Sequence, residues 1–424
     1  MPRCCHRTKH RTATVPGVAT ATTVFLSLHC YASGANTITV DDRPASDASA
    51  DSLAFDVPLE TIHSCLVDRQ PVVIGIDDDF DGDGYSIRDG DCNDCDRNTN
   101  PGAYDVPDSG VDEDCNGIVD DDDSVCDFGI PLASNNPDDG ARAIGLCRFT
   151  TEHPTDDAKR SWGVIDAAFV MADGQTGMHH ASRGILPDFG PYVLPQHGQA
   201  MLALSSATAR RPGDAGYLSP IGASMGTTCN TPPGWPWPSP SCSVAPNPSL
   251  VANDSAALEL RIRVPTNAHG LSFRFAFFTT EFPTWVCNQY NDAFVALLSS
   301  STNESLPPLA NISFDASRNP ISANTTLLEA CRAQVVDETA FECLLGDEML
   351  VGNGFGASDA EPRGHGSTGW LETSSTVTPG EDIVIRFAVW DAGDDTYGST
   401  VLVDSFRWLA ESGVDPETVR VPVF

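Results

Sequence analysis

A chain of 424 residues with 59 acidic against 24 basic side chains carries a formal charge of -35. A field of that sign repels polynucleotides and anionic lipid surfaces, which excludes nucleic acid as a general partner. The length accommodates one sizeable core plus smaller modules.

Residues 1–35 read as a signal peptide. Arg3, Arg7, Lys9 and Arg11 precede a modestly apolar stretch from Val15 to Leu28, and Ser33 and Ala35 stand where a peptidase reads small residues. That stretch is too short and too rich in threonine to cross a membrane, and no second long apolar run follows, so no transmembrane span is expected. Cys30 offers an alternative lipoprotein signal, although His29 before it is bulkier than such signals use. Residues 36–70 have the polar, Ala/Ser/Asp-rich composition of a flexible tether. Eleven cysteines lie beyond the leader. In an exported chain they read as disulfides, and the odd number leaves one over.

Residues 71–126 form an acidic module. Between Asp77 and Asp123, seventeen Asp and one Glu face only Arg88 and Arg97, so compactness there requires a cation among the carboxylates. Hard oxygens at alternating positions followed by glycine suit calcium. With Asp112 at position one of an EF-hand-like register, Asp114 falls at three, Asn116 at five and Gly117 at six. The Ile118 carbonyl then stands at seven, Asp120 at nine and Asp123 at twelve. No bidentate Glu occupies position twelve, which predicts the weak binding that extracellular calcium tolerates. An earlier loop repeats the phase with Asp79, Asp81, Asp83 and Gly84, its remaining oxygens coming from Asp89, Asp91 or Asp94. No helices of EF-hand length flank either loop. The expectation is a small loop-built module with two or more calcium sites, linked by Cys92 or Cys95 to Cys115 or Cys126. An acidic solubilising linker is the plainer alternative. The carboxylates around Cys92-Asn93-Asp94-Cys95 oppose thiolate formation and so redox chemistry.

Residues 127–161 look irregular, and period-two alternation follows. Leu258, Leu260, Ile262 and Val264 share one face, as do Leu271, Phe273, Phe275 and Phe277. The pattern recurs from Ile383 to Trp390 and from Thr400 to Trp408, with shorter candidates at 163–171, 201–204, 292–298 and 310–314. Single apolar faces of this kind predict a mainly β fold, an antiparallel, jelly-roll-like β-sandwich. The Gly/Pro/Ser-rich segment 211–248 reads as an excursion stapled by Cys229 and Cys242, its Trp235 and Trp237 capping the sandwich or stacking on a sugar. Residues 330–345 are too interrupted for a helix, and the GHGSTG run at 364–369 reads as a flexible turn. Asn253, Asn303, Asn311 and Asn324 head sequons and are expected at the surface.

The text DFDGDGY, DCND, NPGA and VDEDCNGIVDDDD over residues 79–123 resembles the MopE-type metal-binding repeat, which is akin to thrombospondin type 3 calcium repeats. The chain departs from that pattern at Cys95, and again where Val106-Pro107-Asp108 replaces a later cysteine. The name implies copper for one relative, but no Met, His or Trp cluster is present for Cu(I), so calcium is expected and copper is not. Residues 128–410 resemble the choice-of-anchor L domain, on the blocks GLSFRFAFFTTEFPTWVCNQYNDAFVALL, NISFDA, HGSTGWL and FAVWDAGDDTYGSTVLVDSFRW. Residues 411–424 remain as a tail. The combination resembles secreted or surface proteins of myxobacteria.

The resulting expectation is a secreted or cell-envelope, non-enzymatic calcium-binding protein, structural, adhesive or ligand-presenting, its calcium stiffening a spacer that carries the sandwich. Cell-surface polysaccharide or another envelope protein is the partner it suggests, and calcium-dependent carbohydrate binding is the alternative. Glu281, Asn291, Asp292, Asp391, Asp394, Asp395 and Asp404 read either as a second cation or ligand site or as loop caps. The rival class is a hydrolase built from His179, His180, His197 or His365 with Ser182 or Ser367, but no nucleophile elbow and no HExxH helix is present.

Overall fold

The computed structural model describes residues 63–67, 70–121, 125–153, 160–235, 239–242, 249–300, 310–358, 362, 364–414 and 416–422. The signal peptide, Cys30, most of the tether, Asp123, Trp237 and Asn303 lie outside the described residues. The chain divides into two compact units, Met1–Val73 and Ile74–Phe424. In the stretch read as a tether, His63–Val67 (β1) instead pairs with Gln70–Ile74 (β2) as a two-stranded sheet.

The second unit is built from antiparallel strands. In chain order they are β3 (Gly163–Val170), β4 (Arg183–Leu186), β5 (Met201–Ser205), β6 (Thr228–Asn230), β7 (Val251–Arg263), β8 (Gly270–Thr279) and β9 (Ala293–Ser300). There follow β10 (Ala310–Asn311), β11 (Ile321–Ser322), β12 (Ala330–Cys331), β13 (Gln334–Val336), β14 (Thr339–Phe341), β15 (Gly366–Thr376), β16 (Asp382–Ala392), β17 (Ser399–Leu409) and β18 (Glu417–Arg420). One seven-stranded sheet runs β10-β9-β16-β7-β3, with β11 on β9 and β6 on β7. The other runs β12-β15-β8-β17-β5-β4, with β18 on β15.

The two sheets bury their alternating faces against each other. Leu258, Leu260, Ile262, Phe294, Ile385 and Phe387 from one sheet and Leu271, Phe273, Phe275, Phe277, Val401 and Val403 from the other form one cluster. The Phe273 and Phe387 rings meet edge to face at 4.8 Å, and Phe275 and Phe294 lie 4.8 Å apart. Each such side chain contributes about 1.5–3 kcal/mol by leaving water. Alternation survives to the end of β17 only because its register shifts between Asp404 and Arg407, with Ser405 at φ 54°. That bulge returns Phe406 and Trp408 to the core instead of Ser405 and Arg407.

The outer faces are covered too. Ala276, Phe278 and Leu402 pack under Phe189, Leu350 and Phe355, while Val295, Ala388 and Trp390 pack under Trp235. Trp235 meets Trp390 edge on at 4.8 Å, which makes it a cap on the sandwich.

Several sequence expectations change. The GHGSTG run is no turn: from Gly366 onward it is β15, buried and paired with β8, because small residues fit where Phe282 crowds Gly366. The tail carries β18, which pairs Leu371 with Arg420. Residues 330–345 form short strands closed by a Cys331–Cys343 disulfide. The irregular stretch contains a helix, α1 (Pro137–Ala143), started by Pro137 and capped by Asn136 Oδ1, which accepts from the Asp138 N–H. Cys229 and Cys242 are not joined: Cys242 bonds Cys287, and Cys229 is the free thiol among the described residues. Asn311 and Asn324 are buried rather than superficial, their Oδ1 atoms accepting from the Ala296 and Cys287 N–H groups.

Candidate metal centres

The two acidic loops fold alike. Asp79 accepts the N–H groups of Asp83 and Gly84 at 3.1 and 3.1 Å, and Asp112 accepts those of Asn116 and Gly117 at 3.1 and 2.9 Å. At the third position, Asp81 accepts from Asp83 and Asp114 from Asn116. At the fifth, Asp83 accepts from Tyr85 and Asn116 from Ile118, both at 2.8 Å. Gly84 and Gly117 stand at φ 101° and 92°, a conformation glycine adopts without strain. Short side chains that accept from the following backbone wind each loop inward.

Each loop also receives an aspartate from elsewhere. Asp94 accepts the Phe80 N–H at 2.7 Å, and Asp105 accepts the Glu113 N–H at 2.8 Å, the second position in both cases. Ligand oxygens within 4.8 Å of one another then come from Asp79, Asp81 and Asp83, from Asp81, Asp91 and Asp94, and from Asp105, Asp114 and Asp121. Cys92–Cys115 ties the loops together beside Asp91 and Asp114, and Cys126–Cys147 anchors the end of the module. Cys65 and Cys95 are likewise disulfide-bonded.

The expected ligands therefore divide. Asp79, Asp81, Asp83, Asp91 and Asp114 lie in these clusters. Asp89 accepts from the Ser86 N–H and hydroxyl and so closes a turn. Asp112 winds its loop, and Asp120 accepts from the Gly110 N–H at 3.2 Å. Asn116 donates to Asp121, and Ile118 is exposed. Asp105 and Asp121 were not anticipated. The outlying aspartate follows the first loop and precedes the second, so no single spacing aligns them.

The donor set fits a hard divalent cation. The Oδ2 atoms of Asp81 and Asp91 are buried without a hydrogen-bond partner among the described residues, and Asp91 is only 4% exposed. Burial pushes Asp83 up to about 7 and Asp91 up to about 6, with neighbouring aspartates adding to the effect. In the second cluster, Arg148 lies 3.0 Å from Asp114 Oδ2 and already supplies positive charge. The first loop thus has the greater need of an ion.

The module packs on the sandwich and is no free spacer. The Tyr85 hydroxyl donates to the Arg160 carbonyl, Trp162 Nε1 donates to the Ala103 carbonyl, and Asn267 bonds both the N–H and the carbonyl of Tyr104. The NPGA run forms the contact. Asn100 Oδ1 accepts from the Gly102 N–H and the Thr266 hydroxyl. A Cβ on Gly102 would stand 2.6 Å from Tyr85 Oη.

Three of the residues considered for a hydrolase make local structural hydrogen bonds. The Ser182 hydroxyl donates to the Ala207 carbonyl, and Ser367 is fully buried within β15, its Oγ accepting from the Gly369 N–H. His179 Nδ1 accepts from the Ala181 N–H beside the His180 ring.

No helix among the described residues is long and apolar enough to cross a membrane. No curated protein matches the chain. Residues 244–407, which span β7 to most of β17 and so the central strands of both sheets, match the family model of the Choice-of-anchor L domain.

Proposed function

We propose that this is a secreted or cell-surface, non-enzymatic protein whose acidic loops bind calcium and become a rigid end of a choice-of-anchor L-type sandwich, in a structural, adhesive or ligand-presenting role. The match to that domain favours a surface or secreted setting. The resemblance of residues 79–123 to MopE-type and thrombospondin type 3 repeats, and the oxygen-only clusters, favour calcium over copper. The observation that carries the reading is the pair of buried, unpartnered carboxylate oxygens on Asp81 and Asp91. Such groups are costly unless an ion or solvent satisfies them.

Calorimetric titration of the full chain with calcium, magnesium and copper tests it. Calcium is expected to bind with Kd on the order of 0.1–1 mM, in the range of extracellular modules. Asp81→Asn with Asp91→Asn should weaken the tightest loop site at least tenfold. Equal calcium heats from wild type and variant would contradict the assignment.

A carbohydrate-binding reading draws on Trp285, whose ring lies 5.2 Å from Tyr290 and 6.3 Å from Tyr397, all three partly exposed at one end of the sandwich. Glycan binding that vanishes on chelation would favour it.

A further inference from the structure

A second group of acids lies inside the sandwich, away from the acidic loops. Glu281 follows β8, Asp292 precedes β9 and Asp391 lies near the end of β16. All three are at most 1% exposed, and one oxygen from each lies within 4.8 Å of the others. Oxygens that share one calcium at about 2.3–2.6 Å stand no more than about 5 Å apart. The spacing is therefore that of a common ion.

Part of the cluster is held by the protein. Glu281 Oε2 accepts the Asp292 N–H at 2.8 Å, Asp292 Oδ1 accepts the Ala392 N–H at 3.0 Å, and Asp292 Oδ2 accepts from the Ser399 hydroxyl at 2.6 Å. These bonds fix the orientation of the carboxylates without satisfying all of them. Glu281 Oε1 and Asp391 Oδ1 are buried with no hydrogen-bond partner among the described residues, as is Oδ1 of the adjacent Asn291. The charges acting most strongly on the cluster, including that of Asp394, are negative and raise the cost of ionising it. Three buried carboxylates, two of them with an unpartnered oxygen, form an electrostatic hole.

We infer that Glu281, Asp292 and Asp391 hold a calcium ion inside the sandwich, distinct from the ions of the acidic loops. Hard oxygen donors select calcium over zinc or copper. The ion clamps the two sheets at one end, because Glu281 follows β8 of one sheet while Asp292 immediately precedes β9 and Asp391 lies in β16, both of the other sheet.

The test counts calcium on the full chain by equilibrium dialysis with elemental analysis. A variant carrying Asp81→Asn and Asp114→Asn removes binding in the acidic loops and should still retain one calcium per chain. Retention of none would overturn the inference, whatever the wild type binds. Adding Glu281→Gln and Asp391→Asn to that variant should remove the last equivalent, while the same pair alone should cost the wild type one ion. A calcium count unaffected by Glu281→Gln and Asp391→Asn would also overturn it, since protons shared among the acids would then fill the site. If the wild type and the Asp81→Asn, Asp114→Asn variant both bind one calcium, and Glu281→Gln with Asp391→Asn removes it, the loop assignment fails and this one stands.

Discussion

At the scale of single residues, burial and hydrogen bonding compete in setting the charge state of the acids, and at Asp404 burial wins. Asp404 accepts the Gln196, His197 and Ser405 N–H groups, yet its burial, with Asp127 nearby, pushes it up to about 7. An unfolded Asp titrates near about 3.9. A raised carboxyl favours folding fully below that value, and its contribution is lost as pH rises through about 7. Asp404→Asn, which carries no titrating proton, should flatten the fall of Tm between pH 4 and 8 relative to wild type. An unchanged slope would show that Asp404 is not its source. The same balance explains what the sequence conceals. Asp81 and Asp89 look alike in a string of aspartates, but one turns an unpartnered oxygen inward and the other closes a turn on Ser86.

At the scale of elements, period-two alternation identified β7, β8, β16 and β17, because half of each strand faces one shared core. It did not reveal β15, where Leu371 is joined on the core-facing side by Gly366, Thr373 and Ser375, residues without an apolar signature. Nor did it show which cysteines meet, since Cys242 and Cys287 are brought together by folding across 45 residues. The repeated phase of the acidic loops was legible, and Asp94 was among the candidates for the first, while the second loop's Asp105 depends on a chain crossing that spacing alone does not record. The joint between loops and sandwich is equally specific. Gly102→Ala places a methyl group against Tyr85 Oη and should destabilise the protein by about 1–3 kcal/mol, as overpacking does. Urea unfolding measures this, and a change within error would mean that the joint is loose.

At the scale of the whole molecule, the charge of -35 is organised rather than spread evenly. Its densest segment is folded back on the sandwich through Tyr85, Tyr104 and Trp162, and another part is sealed between the sheets at Glu281, Asp292 and Asp391. Both arrangements bring like charges together, a repulsion that the proposed divalent ions would offset. At about 1 mM calcium, a site of the proposed Kd, about 0.1–1 mM, would add about 0.4–1.4 kcal/mol to the folded state, so calcium bound as proposed would tune how rigid this surface is. The most direct measurement is anomalous X-ray scattering from crystals of the full chain grown with calcium. The account predicts an anomalous peak among the carboxylates of Asp79, Asp81, Asp83, Asp91 and Asp94. Ordered loops with only water between those oxygens would contradict it.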